Sequence, residues 1–338
     1  MNLFKRFTQV VARNSNGKAI VYAKNLEFVS YRRLLHLTEN CSKFLISRNC
    51  KKGDVIAVFH NKSTEAYATM LACIRLGLIY TNLDDQSPWG RLEKILDNSN
   101  PTLIIVFNND NQNIKELKNK YNDRVVQADG IKLNESSVQD SKLPSIDIVE
   151  QHDPAYIMYT SGSTGTPKGA VITNQNLLVF IDWALENFNI KQEDRLTNLN
   201  PMYFDNSVFD FYLAFFSGAT LVPFLREEVK KPKRLLHLIN KSKCTIWFSV
   251  PSLLVYLTST KSFDDDSLMF VRKILFGGEG FPKKILLKMF RRFSSRIEFE
   301  NVYGPTECTC ICSSYKISEK DFEDMQELPP LGVIPNHF

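Results

Sequence analysis

Apolar runs and amphipathic stretches alternate along the whole chain. Residues 19–23 and 26–29 are short apolar runs around Lys24-Asn25 and predict a hairpin. A helical period follows over 31–47, then a strand at 55–59, a helix at 64–76 and an extended run at 78–83. A short helix at 91–98 feeds a strand at 102–107. Residues 128–153 are polar without a period and predict a connecting loop. The apolar run 155–158 reads as a strand and leads straight into 159–169, YTSGSTGTPKG. Beyond it, Thr173 or Asn174 caps a helix reaching Leu185. Three strand–helix pairs then recur: 220–224 with 232–242, 244–250 with 252–258, and 271–276 with 283–293. Strands at 297–302 and 309–315 close the series. Strands alternating with helices predict an α/β protein of two stacked βαβ lobes, with helices packed on mixed sheets. The 338 residues exceed what one small core holds, and the lobes are expected at 1–150 and 151–338, intertwined in one large domain.

Composition narrows the class. With 43% hydrophobic and 23% charged residues the chain is of ordinary globular type. The net charge of +5 is spread among interspersed acids, which speaks against nucleic acid or a membrane surface as partner. The densest basic runs are 230–234 and 283–292; the second alternates with Ile285, Leu286, Leu287, Met289 and Phe290, as the solvated face of a surface helix does. No run approaches the length of a membrane span, and residues 1–14 lack the apolar core of a secretory signal. Seven dispersed cysteines suit a reducing cytoplasm. Cys308, Cys310 and Cys312 suggest a metal cluster at first sight, but their spacing puts them on one face of a strand with no histidine or C-x-x-C near.

The segment 159–169 carries the chemistry. Gly162, Gly165 and Gly169 let backbone N–H groups turn toward a ligand, the Ser/Thr hydroxyls add donors, and Lys168 adds a positive charge. Such a run can be a plain linker, but a linker seldom sits between a buried strand and an amphipathic helix, and the reading adopted is a phosphate-binding loop. It is not a P-loop: Pro167 occupies the place of the second glycine, and Lys168 is followed by Gly169. The dinucleotide pattern fails as well, since no glycine pair with one intervening residue opens the loop.

Two other segments stand out. Asp205 lies among Phe204, Val208 and Phe209, where an ionised carboxylate needs a cation to be tolerated; alternatively it is an N-cap serving the N–H groups of Val208 and Phe209. The run 301–307, NVYGPTE, is on its own a good turn in which Pro305 fixes φ.

Taken together, 159–169, 73–85 (CIRLGLIYTNLDD), 203–210 (YFDNSVFD) and 301–307 resemble, in this order, the signatures of the adenylate-forming (AMP-binding) superfamily. The likeness spans the chain, although Leu76-Gly77-Leu78 departs from the usual Gly-Ala. It is strongest toward amino-acid adenylation domains of nonribosomal peptide synthetases and D-alanine–carrier protein ligases. The resemblance implies that ATP is held by Thr160, Ser161, Gly162, Ser163, Thr164, Gly165 and Lys168 at the phosphates, with Thr306 at the α-phosphate. Tyr303 would stack on adenine, Asn301 and the Gly277, Gly278 and Glu279 backbone would meet its edge, and Val302, Gly304 and Pro305 complete the segment. Glu307 would hold Mg²⁺. Asp205 would receive a substrate α-ammonium, with Asn206, Phe209, Ser249, Leu275, Gly277, Val302, Cys310 and Ile311 around the side chain, a mostly apolar set that suits a neutral amino acid of small to medium size. D-alanine ligases carry Cys where Gly277 stands, and the lost side chain implies a wider pocket.

The implied reaction forms aminoacyl-AMP and pyrophosphate, then passes the acyl group to the phosphopantetheine thiol of an acyl or peptidyl carrier protein. Residues 328–338 resemble the segment before the family's last β-subdomain. The ribose-binding aspartate, that subdomain and the C-terminal lid with its catalytic lysine have no counterpart here, so the resemblance implies the N-terminal part of a longer enzyme and assigns no catalytic residue. An acyl-CoA ligase, which Asp205 opposes, and a non-catalytic nucleotide-binding module are the competing readings.

Overall fold

The computed structural model describes residues 2–107, 111–128, 143–160, 165–264 and 266–335. In chain order, α1 (Leu3–Arg13) is followed by β1 (Lys18–Val21), β2 (Phe28–Ser30), α2 (Tyr31–Ser47), β3 (Val55–Phe59), α3 (Thr64–Leu76) and β4 (Ile79–Leu83). Next come α4 (Trp89–Ser99), β5 (Leu103–Val106), α5 (Ile114–Tyr121), β6 (Val125–Gln127), β7 (Pro154–Thr160) and β8 (Lys168–Thr173). The chain continues through α6 (Asn174–Asn187), β9 (Arg195–Asn198), α7 (Asn206–Ser217), β10 (Thr220–Pro223), α8 (Arg226–Val229), α9 (Pro232–Lys241), β11 (Ile246–Ser249) and α10 (Pro251–Ser259). It closes with β12 (Lys273–Gly277), α11 (Lys283–Phe293), β13 (Glu298–Tyr303) and β14 (Ser313–Lys316).

Two compact units result, one of Met1–Gly17, Val29–Leu178 and Met202–Phe204, the other of Lys18–Phe28, Val179–Pro201 and Asp205–Phe338. This differs from a boundary at 150/151. Residues 151–178 join the first unit because β7 and β8 extend its sheet, and 18–28 join the second because β1 pairs with β10.

The first unit is built on a sheet of order β6-β5-β3-β4-β7-β8, parallel except for the β7–β8 hairpin. Helix α3 starts on Ser63, whose hydroxyl accepts the Ala66 N–H, and stops at Gly77 in the left-handed region (φ 67°). Its sequence is apolar nearly all round and every residue but Glu65 is buried, as expected of a helix enclosed in a core. Ala57, Phe59, Leu92, Leu96, Ile104 and Val106 fill the space between β3, β5 and α4. The strand β8 was not anticipated: its burial is uneven, with no clean alternation to read.

The second unit has a sheet of order β14-β13-β12-β11-β9-β10-β1-β2, with β2 straddling the division. Strands β1 and β9 to β13 run parallel and β14 antiparallel. From β9 the chain goes to its neighbour β10 and then crosses to β11 on the other side, so strand order reverses at β9. Ligands of open α/β sheets bind beyond the carboxyl ends of the strands at such a reversal. Trp247, Phe276, Leu235, Leu254 and Phe290 anchor the core on one face. In α11, Leu286, Met289, Phe290 and Phe293 are buried while Lys284, Lys288, Arg291 and Arg292 are exposed, the solvated basic face expected. Among the described residues no helix is long and apolar enough to cross a membrane.

The expected strand over 309–315 needs correction. Residues Thr306–Cys308 form a 3-10 turn, Thr309 and Cys310 are left-handed (φ 61° and 75°), and β14 begins only at Ser313. The three cysteines therefore share no strand face: Cys308 is exposed, Cys310 and Cys312 buried. Among the described residues no group of His, Cys, Asp and Glu could hold a metal on its own.

Candidate active site

In the first unit, β7 and β8 place the ends of the glycine loop. Thr160 pairs with Lys168 and Tyr159 with Gly169 in the antiparallel register, so the loop caps a hairpin rather than leading into a helix. Thr160 Oγ1 lies 3.5 Å from the Lys168 carbonyl oxygen, and Gly165 takes φ +73°, closed to most side chains. Lys168 is exposed. Ser161, Gly162, Ser163 and Thr164 lie outside the described residues. Thr173 does cap α6, its hydroxyl accepting the Asn176 N–H at 3.2 Å. The segment 73–85 supplies the end of α3, the turn at Gly77 and β4, where Asn82 Nδ2 donates to the Met202 carbonyl at 3.1 Å.

In the second unit, the remaining predicted residues gather at the carboxyl ends of β9, β11, β12 and β13 and at the start of α7. Asp205 precedes α7 but makes no side-chain capping bond to it, so the N-cap reading fails. Instead Thr306 Oγ1 donates to Asp205 Oδ2 at 2.7 Å. Burial raises the Asp205 pKa above the ordinary carboxylate range; the Thr306 bond and the N–H groups of Asn206 and Asp205 pull the other way, and Glu307 adds to the rise. No cationic side chain among the described residues pairs with Asp205. The Cys310 thiol is buried beside it and pushed up by burial and by that carboxylate.

Two carbonyl-lined close approaches shape the surrounding backbone. A Cβ on Gly277 would collide with the Val302 carbonyl oxygen, so β12 and β13 meet backbone to backbone. The missing side chain serves that contact. A Cβ on Gly304 would lie 2.5 Å from the Cys310 carbonyl oxygen and 2.7 Å from Ile311 Cα, which fixes the return of the turn carrying Pro305, Thr306 and the exposed Glu307. Gly278 is left-handed (φ +88°) and faces Asn206 and Val250. Tyr303, 44% exposed at the end of β13, offers its ring to solvent. A single exposed carboxylate at Glu307 fits Mg²⁺, which takes one or two carboxylates together with substrate phosphates.

Other predicted residues have structural partners. Phe209 is fully buried, edge-on to Phe248 (4.9 Å) and Phe188 (5.5 Å), and Leu275 is buried in β12. Ser249 accepts the Trp247 indole N–H at 2.8 Å and donates to the Val250 carbonyl. Glu279 accepts the Ser252 N–H at 3.0 Å at the start of α10. Asn301 donates to the carbonyls of Pro329 and Pro330, at 3.3 and 2.8 Å.

Sequence reasoning missed the support under Asp205. Asp210, fully buried one turn further along α7, accepts from Asn198 (3.0 Å) and Asn200 (3.3 Å), and Asn200 also donates to the Phe248 carbonyl. These bonds tie α7 to β9 and β11 and set the height at which Asp205 stands. The signal was available as two asparagines with one residue between them at the end of β9, Asn198 and Asn200, with a carboxylate in an otherwise apolar helix.

The family described as AMP-binding enzyme matches residues 7–336. An L-proline–[L-prolyl-carrier protein] ligase of Pseudomonas fluorescens is 30% identical over 97% of the chain and 65% of its own length. A D-alanine–D-alanyl carrier protein ligase of Listeria monocytogenes is 30% identical over 90% of the chain and 59% of its own. The chain thus spans less than two thirds of these relatives. Among solved structures, the nonribosomal peptide synthetase FmoA3 in its AMPPNP-bound form superposes with a TM-score of 0.85 at 25% identity, covering 98% of this chain and 34% of that one. The N-terminal subdomain of Klebsiella oxytoca NpsA shares the fold, with a TM-score of 0.84 at 19% identity over 98% of this chain and 79% of that one.

Proposed function

Because the chain belongs to the AMP-binding enzyme family, we propose that it takes part in activating a neutral amino acid with Mg·ATP, giving aminoacyl-AMP and pyrophosphate. The observation that carries this reading is Asp205: a half-buried carboxylate, held by a hydroxyl and paired with no cation among the described residues, is what a substrate ammonium would complete. The relatives act on L-proline and D-alanine, small neutral amino acids, which supports an apolar side-chain site built from Val302, Cys310 and Ile311.

In this reading the ammonium on Asp205 orients the substrate so that its carboxylate oxygen attacks the α-phosphorus in line; the bond to the bridging oxygen breaks and pyrophosphate leaves. Lys168 and the loop residues Thr160, Ser161, Ser163 and Thr164 take the phosphates, and Thr306 donates to the α-phosphate, where negative charge accumulates. Tyr303 stacks on adenine, against the Gly277–Gly278 backbone. Mg²⁺ on Glu307 would neutralise phosphate oxygens. A phosphopantetheine thiol of a carrier protein then attacks the acyl carbon, AMP departs, and a thioester forms.

Exchange of labelled pyrophosphate into ATP, run with the twenty standard amino acids and D-alanine, tests the reading. A signal from a neutral amino acid is expected. A signal only with fatty or aromatic acids overturns it in favour of an acyl-CoA ligase. Mg·ATP binding by calorimetry with no acid-dependent exchange, even in the full-length gene product, overturns it in favour of a nucleotide-binding module.

A further inference from the structure

We propose that the Thr306 hydroxyl is a shared donor linking the amine site to the phosphate site: it serves either the Asp205 carboxylate or the nucleotide phosphate, and never both. The inference rests on the preceding reading for the identity of the two ligands, but its core is a count of protons. A threonine hydroxyl carries one. In this structure that proton is given to Asp205 Oδ2 at 2.7 Å. A phosphate diester oxygen only accepts, and a monoester does so as the dianion that predominates above its second pKa of about 6, so Thr306 can donate to it only after leaving Asp205.

The surroundings make that exchange a side-chain event. The Cys308 N–H bonds the Pro305 carbonyl at 2.9 Å and the Thr309 N–H bonds the Thr306 carbonyl at 3.2 Å, while Gly304 is wedged under Cys310 and Ile311. The backbone around Thr306 is therefore pinned, and rotation about its Cα–Cβ bond is the remaining freedom. A substrate ammonium arriving at Asp205 brings charge-assisted bonds of its own and displaces the weaker hydroxyl, which becomes available to phosphate. Conversely, phosphate that captures the hydroxyl leaves Asp205, with exposed Glu307 and the buried Cys310 thiol near it, short of a donor and receptive to an ammonium. Each ligand then favours the other, and by linkage the favour is equal in both directions. In the unliganded protein the hydroxyl stays latched on the carboxylate, so nucleotide alone binds below its full strength.

Calorimetric titration of AMP into the wild-type chain, D205A, T306V, T306S and the double variants D205A/T306V and D205A/T306S tests this. D205A should tighten AMP roughly fivefold, a typical linkage between sites, because the hydroxyl is released. The same change made in T306V should leave AMP affinity unmoved, and T306S should restore the D205A effect. If D205A tightens AMP equally in the T306V background, the cause is charge at a distance and the proposal fails; it fails also if D205A leaves AMP binding unchanged. T306A replaces T306V in the cycle if the near-UV spectrum shows T306V to be unfolded. The underlying reading fails separately: D205A retaining amino-acid-dependent exchange removes the amine role while leaving the AMP cycle intact, and a wild-type chain that binds no AMP removes both.

Discussion

The two edges of the second unit's sheet treat buried charge in opposite ways. At the amino ends of the strands Asp194, Glu298 and Glu300 each lie beside a cation. Asp194, before β9, takes Arg272 at 2.7 Å, the Thr245 hydroxyl at 2.7 Å and the Lys191 N–H at 2.8 Å. Glu298 bonds both Lys273 and Lys316, and the Lys273 ammonium also lies 3.2 Å from Glu300. This edge opens into a cavity of about 410 Å³ whose lining includes Arg272, Lys273, Glu298, Glu300 and Lys316, so its acids face lysine or arginine even though one Glu300 oxygen accepts no hydrogen bond. At the carboxyl ends, Asp205 has a hydroxyl and Asp210 two amides, and among the described residues no lysine or arginine pairs with Asp205. A depression by itself therefore says little about function. A carboxylate kept from water and left without its counter-ion says more, because the fold tolerates that cost where a ligand brings the missing charge.

The sharpest way to break this contrast is to remove the uncompensated acid. D205A should weaken the binding of the activated amino acid by roughly a thousandfold, on the order of 4 kcal/mol, as expected when one partner of a desolvated, hydrogen-bonded charge pair is lost. Because no internal ion pair is broken, its urea midpoint should stay close to that of the wild type. Amino-acid affinity measured by calorimetry beside the unfolding curve checks both halves; a variant that binds normally but unfolds early would turn Asp205 into a structural residue.

Asp194 is the opposite case, stability without ligand binding. D194N takes the carboxylate from Arg272, leaving it the Asn189 carbonyl, and should cost roughly 3 kcal/mol at pH 7, as for a broken pair with one buried member. Burial raises the Asp194 pKa, but the Arg272, Lys191 and Thr245 bonds outweigh it and the net shift is downward. A carboxyl lowered in the fold contributes fully above its unfolded value, about 3.9, and loses that contribution as pH falls through the folded one. The gap between wild type and D194N should therefore be flat near neutrality and close in acid. Glu300, raised by burial, has the reverse slope, but it is present in both proteins and cancels. Urea midpoints across that range decide the matter, and a gap that widens in acid would reverse the sign assigned to Asp194.

The alternation of apolar strands and amphipathic helices was legible because burial on a parallel sheet leaves continuous runs such as 55–59 and 271–276, and these fell where strands stand. The motifs put the glycine loop directly after a strand, and the structure has it between β7 and β8, with Asp205 just before α7 and Tyr303 at the end of β13. What failed depended on backbone conformation or on distant partners. Cys308, Cys310 and Cys312 have strand spacing, yet Thr309 and Cys310 turn left-handed, and local pattern does not disclose a positive φ in a non-glycine residue. Strand β8 has uneven burial. The partners of Ser249, Glu279 and Asn301 (Trp247, Ser252 and the two prolines) are set by tertiary packing rather than by the motif in which each residue sits. The single bond from Thr306 to Asp205 joins residues 101 positions apart, a distance no short-range rule reaches.

Gly277 tests whether the site edge is shaped by backbone contact rather than by pocket volume. G277A drives a methyl into the Val302 carbonyl, a rigid neighbour inside a strand pair, and should cost roughly 2 kcal/mol of stability as an overpacking change. Thermal unfolding would register it as a lowered midpoint. If G277A were neutral in stability but altered the side-chain preference in the exchange assay, the position would belong to the substrate pocket after all.

Lys316 offers the finest cut, because it shares Glu298 with Lys273 but stands mostly in water, at 65% side-chain exposure against 5%. Burial raises the Glu298 pKa, yet the bonds from Lys273 and then Lys316 more than reverse it, so the carboxylate stays ionised in the fold. Removing the outer lysine leaves the inner one, and water replaces the lost ammonium. K316M should therefore change the urea midpoint by an amount equivalent to less than about 0.5 kcal/mol, the usual worth of an exposed ion pair. The residual effect should shrink further in 0.5 M salt, since screening at that strength acts over only a few ångströms, between about 3 and 10 Å. A cost comparable to that of D194N, insensitive to salt, would mean that exposure does not separate the two kinds of pair at this edge, and that Glu298 depends on both of its lysines.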